Sequence, residues 1–307
     1  MPAVQSVARP ILVLGEALVD EFQDGWVAGG APFNVARSLV QLGASVEFVS
    51  RIGTDDAGAA LVLESASRYG LPMSGVQRDA SHPTGRVSVV QRPGEVGHRF
   101  EIHAESAWDH IALPDLDLNG EGGWLYFGTL AQRSPVSCAS LRKLVKRHCG
   151  PVFLDLNLRA GDALRERVAE SLMLADWVKV NEEEWRQLQT WYGLDDVSCL
   201  MARFALTRLL VTRGEQGYLL YDQSGCLQIE ADGVRQSHVQ DTVGAGDAFA
   251  ALVLAGLSLS RDMAEVLKLA NRYAAFVCGI KGPLPDHPEG LTAWREALAG
   301  LPAGDAS

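Results

Sequence analysis

Short apolar runs alternate with longer amphipathic stretches along most of the chain, and that alternation is the tightest constraint on its fold. Runs at 11–14, 46–49, 124–127, 152–154, 177–180 and 209–211 read as buried strands. The stretches at 34–42, 57–69, 135–148, 163–174, 182–191 and 197–205 carry helical periodicity. Strands that are apolar throughout are buried on two faces. This calls for parallel βαβ units with helices on both sides of one sheet. The predicted class is therefore α/β, a helix–sheet–helix sandwich around a mostly parallel sheet. Ligands in such folds gather beyond the carboxyl ends of the strands, so polar residues at strand ends are the first place to look.

Two stretches break the alternation. The segment 20–28 is short, polar and aromatic. Residues 85–103 (GRVSVVQRPGEVGHRFEIH) have the period-2 pattern of a hairpin around an Arg-Pro-Gly turn. Both interrupt early βα units, so they can pair as a small sheet outside the main body. Spacing does not choose between a lid, a dimer surface and an ordinary edge hairpin. Beyond 206 come a second hairpin (218–221 and 226–230) and two long helices, 244–257 and 263–278. The head and the tail at 302–307 are expected to be loose.

Composition narrows the function classes. The 307 residues suit one α/β domain with a modest appendage, and 47% apolar against 21% charged residues is an ordinary globular balance. A net charge of −11 argues against nucleic acid or an anionic membrane as partner. Cys138, Cys149, Cys199, Cys226 and Cys278 are widely spread with no C-x-x-C pair, so neither a disulfide framework nor a cysteine zinc site is expected. All five read as small buried hydrophobes. The longest apolar run, 248–257, is well short of the ~18 residues of a membrane span, and no signal-peptide core follows Met1. A cytoplasmic protein is expected. His98, His103 and His110 show no metal-ligand spacing.

The strongest local signal is Asp241-Thr-Val-Gly244-Ala245-Gly246-Asp247 ahead of an apolar helix. Its glycines let the backbone approach a ligand, and the first helical turn offers free N–H groups to a phosphate. Asp247, in that turn, is placed to accept a proton from a hydroxyl. A plain helix start with Thr242 as cap explains the same residues equally well. The pair Gly29-Gly30 leads to Asn34, whose amide suits vicinal hydroxyls, with Asp20 upstream. Asp155-x-Asn157-x-Arg159 closes one strand, with alternation setting the three on one face. Asn181-x-x-Glu184 closes another. It reads either as a capping box or as an outer-sphere Mg²⁺ site. Thr212-Arg-Gly214-x-x-Gly217 closes a third. There is no Walker A loop and no G-x-G-x-x-G after the first strand, which disfavours a nicotinamide dehydrogenase.

Taken in order, these elements resemble the ribokinase-like (PfkB) family of carbohydrate kinases. The match runs from Gly15 to about Gly282 and includes Gly29-Gly30-x-x-x-Asn34, Ser50-Arg-Ile-Gly53-x-Asp55, Asp155-x-Asn157-x-Arg159, Asn181-x-x-Glu184 and the Asp241–Asp247 loop. The resemblance implies a single domain over 1–307, a ribokinase-like three-layer α/β/α sandwich. It also implies a β lid built from segments about 18–29 and 85–104. The implied reaction is ATP-dependent phosphorylation of a sugar's primary hydroxyl. Asp247 would be the base, and the Gly244, Ala245 and Gly246 amides the anion hole. Asp20, Gly29, Gly30, Asn34 and Arg159 would hold the sugar. Asn181 and Glu184 would hold Mg²⁺ through water, with Thr212 and Gly214 along the nucleotide phosphates, Asn271 near the adenosine and Gly217 also at the nucleotide. The implied partners are a small sugar and ATP, with a homodimer through the lid open, as is K⁺ activation.

Family members that act on ribose or on sugar phosphates usually carry Lys after the glycine pair. Here Ala31-Pro32-Phe33 follows, and Gly15-Glu16-x-x-x-Asp20 stands upstream, both similar to the fructokinase branch. 2-Keto-3-deoxygluconate kinases share much of this pattern and are the alternative, with ribokinase behind them. A non-catalytic sugar-binding pseudo-kinase is disfavoured by the intact Asp247 loop. Two positions depart from the family: Val243 replaces the second Thr of D-T-T-G-A-G-D, and Lys281-Gly282 stands where Gly-Ala is commoner.

Overall fold

The computed structural model describes residues 9–22, 25–90, 99–113, 122–159, 164–234, 236 and 239–304. The strands are β1 (Ile11–Leu14), β2 (Leu18–Phe22), β3 (Gly25–Gly29), β4 (Val46–Gly53), β5 (Val76–Asp79), β6 (Gly85–Val90), β7 (Arg99–Ile102), β8 (Leu125–Gly128), β9 (Val152–Asp155), β10 (Trp177–Asn181), β11 (Arg208–Thr212), β12 (Tyr218–Asp222) and β13 (Leu227–Ala231). The helices are α1 (Ala31–Gln41), α2 (Ala57–Arg68), α3 (Pro135–Arg147), α4 (Arg165–Leu172), α5 (Glu182–Tyr192), α6 (Val197–Phe204), α7 (Ala245–Ser258), α8 (Met263–Cys278) and α9 (Thr292–Ala299).

The main sheet runs β13-β12-β11-β10-β9-β8-β1-β4-β5. It is parallel from β11 through β5, and β12 and β13 add an antiparallel edge. Residues of β1 divide by parity, as a strand's alternation requires. Ile11 and Val13 join a core under α1, α2, α7 and α8, whereas Leu12 and Leu14 join a second core under α3 to α6. The sheet therefore lies between two helical layers. Ala248 to Gly256 of α7 are all buried, so that helix is fixed from every side and its first turn is held firmly at the sheet's carboxyl edge.

A second, four-stranded sheet has the order β3-β2-β6-β7. It is built from the two segments that break the alternation, with β2 and β6 pairing parallel and hairpin-like antiparallel partners on either side. The turn expected at 92–94, residues 23–24 and His98 lie outside the described residues.

Three expectations need correction. Cys149, Cys199 and Cys226 are exposed, and only Cys138 is buried; all five are free thiols, three of them in loops or on outer helix faces. The tail is anchored through Gly304: Asp262 N donates to Pro302 O at 2.9 Å and Gly304 N to Ser260 O at 2.8 Å. Strand β9 ends at Asp155, and Asn157 has φ +42°. Simple alternation therefore does not carry through to Arg159.

Candidate active site

The carboxyl ends of β1, β8, β9, β10 and β11 open into a cavity of about 440 Å³. Its lining joins Glu16 after β1, Leu130 after β8, Asp155, Asn157 and Arg159 at β9, Lys179 and Asn181 of β10, Thr212 of β11, and Gly244, Gly246 and Asp247 at the start of α7. The small sheet forms the facing wall with Leu18, Asp20, Val87 and Ile102. Such a volume suits a small polar ligand.

Asp247 is held from the side by α1. Pro32 sits in the first turn of that helix, where its missing N–H costs nothing. Asn34 then projects one turn in, 5% exposed. Its Nδ2 donates to Asp247 Oδ2 at 2.8 Å, while its Oδ1 accepts from Arg37 Nη2 at 2.5 Å. Arg37 is itself buried. It donates to Ser65 Oγ and to Ala28 O and stacks over Phe33, its guanidinium carbon 4.2 Å from the ring centroid. The guanidinium has no acceptor to offer, so it can only face the amide oxygen of Asn34, which leaves the NH₂ aimed at Asp247. Burial pushes the Asp247 carboxyl up to about 6, partly offset by the Asn34 hydrogen bond.

Gly244 is the N-cap of α7 with φ +83°, a conformation few L-residues adopt, and no side chain caps this end. The Thr242 cap of the plain helix-start alternative does not form; the Thr242 carbonyl instead accepts from Ala245 N. The first-turn amides thus face the cavity through Gly244 and Gly246, with the helix dipole's positive end behind them.

Gly30 also lines the cavity, and its φ of +105° turns the chain into α1; a Cβ there would stand 2.6 Å from Glu16 O. Gly29 lies outside the lining, but it leaves room for the Asp20 carboxylate against β3. Burial raises Asp20 to about 6.

Asn181 and Glu184 form a complete capping box at α5. Asn181 N donates to Glu184 Oε2 and Glu184 N to Asn181 Oδ1, each at 2.8 Å. Glu184 Oε1 accepts from Leu158 N at 2.7 Å, which ties the loop after β9 to this corner. The capping explanation and the cavity position therefore hold together.

A second cavity of about 250 Å³ continues the first, sharing Thr212, Gly214, Thr242 and Gly246. Gly217, Ala245, Phe249, Asn271 and Cys278 complete much of it, and Asn271 Nδ2 donates to Asp232 O at 2.9 Å. Every predicted site residue except Gly29 thus lines one or the other cavity.

Sequence reasoning missed two charged groups. Lys179 Nζ pairs with Asp155 Oδ1 at 2.9 Å and Oδ2 at 3.0 Å, and a Cβ on Gly246 would lie 3.5 Å from that nitrogen. Its position inside an apolar strand two residues before Asn181 was the available signal. Glu16 is 3% exposed and lines the cavity, and its Oε2 has no hydrogen-bond partner. The sequence offered it only as part of Gly15-Glu16.

The same arrangement is matched by a family model, that of pfkB family carbohydrate kinases, over residues 11–289. The chain belongs to the PfkB family of carbohydrate kinases. It is thus a phosphotransferase with an alcohol group as acceptor. Among PfkB relatives, a fructokinase of Escherichia coli is 31% identical over 303 residues, covering 92% of this chain and 97% of that one. An aminoimidazole riboside kinase of Salmonella typhimurium is 28% identical over 301 residues, covering 90% and 92%. A structure of a Vibrio cholerae fructokinase double mutant with fructose, ADP and potassium superposes with a TM-score of 0.79 at 26% identity, covering 94% and 98%. The PfkB architecture seen in that ribokinase-like structure is the one described above. No helix among the described residues is long and apolar enough to cross a membrane.

Proposed function

We propose that this PfkB kinase is a fructokinase that moves the γ-phosphoryl group of ATP to a primary hydroxyl of fructose. The observation that carries the chemistry is the Asp247 carboxylate, oriented by Asn34 in the uncapped first turn of α7. Fructose held by Asp20, Gly30, Asn34 and Arg159 presents its hydroxyl to Asp247, with Gly29 giving Asp20 its space. Asp247 takes the proton as the hydroxyl oxygen bonds to phosphorus, and the bond to the ADP oxygen breaks. The amides of Gly244, Ala245 and Gly246, with the Lys179 ammonium beside them, stabilise the charge on the transferring group. ATP occupies the second cavity, its adenosine near Asn271 and Gly217 and its phosphates along Thr212 and Gly214.

Magnesium is implied by the chemistry, and the residues fit it only through water. Both Glu184 oxygens already accept backbone N–H groups, and no group of three or more His, Cys, Asp or Glu among the described residues could hold a metal. Asn181 and Glu184 suit an ion that keeps several of its waters. When bound with the nucleotide, magnesium neutralises phosphate charge. K⁺ remains an optional addition: Asp241, Val243 and Lys281 line one neighbouring cavity, where Val243 brings no side-chain oxygen and Lys281 brings a positive charge.

Fructose is favoured over a sugar phosphate because the sugar end of the cavity carries Glu16 and Asp20 and no lysine after the glycine pair. In this reading 1–307 works as one cytoplasmic unit, and the small sheet is a lid over the sugar. Its exposed Trp26 and Val27 support a homodimer through that sheet.

The test is a coupled ADP-release assay with Mg-ATP, with and without K⁺. Its panel is fructose, ribose, 2-keto-3-deoxygluconate, adenosine, aminoimidazole riboside and fructose 6-phosphate. Fructose well ahead of the others is expected. Preference for 2-keto-3-deoxygluconate or a riboside would keep the mechanism and overturn the sugar, and silence on all would favour a non-catalytic binder.

A further inference from the structure

Among the described residues, Glu16 is the one acid of the cavity with a buried carboxylate oxygen, Oε2, left without a partner. It lies 3% exposed, two residues beyond β1, at the sheet's carboxyl edge. Two side-chain donors of the same cavity are committed elsewhere, the Asn34 amide to Asp247 and the Lys179 ammonium to Asp155. The backbone N–H groups of Glu16 and Ala31 that reach the carboxyl leave Oε2 without a partner. The absent Cβ of Gly30 leaves room beside the Glu16 side chain, since a Cβ there would stand 3.4 Å from Glu16 Cγ. An ionised carboxylate only accepts hydrogen bonds. A buried oxygen of this kind therefore awaits a donor that enters the cavity from outside.

Resting on the carbohydrate-kinase reading, we propose that Glu16 determines specificity by accepting a hydrogen bond from a sugar hydroxyl other than the one phosphorylated. It is a binding contact, separate from the base Asp247 and from the phosphate-facing groups. A site built to hydrogen-bond a substrate hydroxyl rejects the analogue lacking it far more strongly than an apolar pocket rejects a lost methylene. Burial also raises the Glu16 carboxyl to about 7, with Arg159 opposing and Asp247 reinforcing the rise.

The experiment compares wild type, Glu16→Ala and Glu16→Gln on singly deoxygenated analogues of whichever panel sugar the wild type uses best. The fructose assignment and the Glu16 assignment therefore fail separately. In the wild type one analogue, deoxygenated away from the phosphorylated carbon, is expected to lose at least ~10²-fold in kcat/KM. In Glu16→Ala the parent sugar falls toward that analogue and the gap closes to within about threefold. KM for ATP and the melting temperature of Glu16→Gln stay near wild type. Should Glu16→Ala fail to fold, the same closing of the gap is read in Glu16→Met, which fills a similar space and offers no oxygen acceptor. Loss of all sugars by one common factor, with every deoxy penalty intact, would make Glu16 structural and overturn the proposal.

Discussion

Asn34 and Asp247 are 213 positions apart in the chain, yet the amide of one donates to the carboxylate of the other at 2.8 Å. The contact joins α1 to α7 at the point where the main sheet, the small sheet and the uncapped helix start converge. It is held in register by Arg37 behind Asn34. Kinetics can distinguish a carboxylate that serves as a base from one that only favours the helix start.

Asp247→Ala should lower kcat by at least ~10²-fold, the usual loss on removing a general base. ATP binding should survive, and sugar binding should persist through Asp20, Gly30 and Arg159 although Asn34 loses its hydrogen-bond partner. Steady-state kinetics with calorimetric titration of both ligands reads this directly. Near-wild-type turnover would exclude Asp247 as the base.

The pH profile gives an independent check with a definite sign. Asp247 sits at about 6 because burial raises it, and the Asn34 hydrogen bond pulls it down. The ionised base is lost as pH falls, so kcat/KM should drop on the acid side near pH 6. Asn34→Leu removes the donor and should move that acid limb to higher pH. Glu16 and Asp20 titrate in the same region, so the limb should be steeper than one proton allows. An unmoved limb in Asn34→Leu would mean another group controls it.

Gly244 and Gly246 should respond differently to alanine. Gly244 has a positive φ, and its Cβ would strike Pro283. Gly244→Ala should therefore destabilise the fold by more than ~1 kcal/mol. Gly246 lies in the helix with only Lys179 Nζ nearby, 3.5 Å from a new Cβ. Gly246→Ala should leave stability equal or raised by about 0.4–1 kcal/mol, while kcat falls because the methyl group occupies space beside the first-turn amides. Urea unfolding together with kinetics separates the two; unchanged kcat in Gly246→Ala would remove that amide from the phosphoryl site.

The Lys179–Asp155 pair is nearly sealed from solvent, its side chains 6% and 2% exposed. Lys179→Met strips the buried Asp155 of its cation and leaves it a 3.4 Å contact from the Tyr126 hydroxyl, and should cost about 3–5 kcal/mol. The double variant Lys179→Met/Asp155→Leu should recover most of that stability without recovering kcat. Recovery of both would make the pair purely structural.

The strands of the main sheet were legible because buried parallel strands are written as short, mostly apolar runs: 11–14 is β1 residue for residue, and 177–180, broken only by Lys179, is β10 less its last residue. β5 was not, since Val-Gln-Arg-Asp has no apolar pattern and gains its place only by pairing with β4 at the sheet's edge. Asp247 was legible because the glycines just before it mark a backbone with a special task. Glu16 and Lys179 stood inside stretches that read as ordinary strand and strand end. Their meaning comes from partners, or a missing partner, far away in sequence, which no local pattern records. α9 escaped notice for a different reason: it spans only eight residues, with Leu298 its single buried one and Trp294 packed partly buried against the core.

The hydrogen-bond chain through Arg37 also reaches away from the cavity, to Ser65 Oγ on α2 and the carbonyl of Ala28 on β3. A genetic selection for lost kinase activity should therefore return substitutions at Ser65, a position that meets Asp247 only through Arg37 and Asn34. Such alleles would be suppressed by changes on α2 rather than by changes around the ligand. The hereditary unit of this active site extends into the helical layer beneath it.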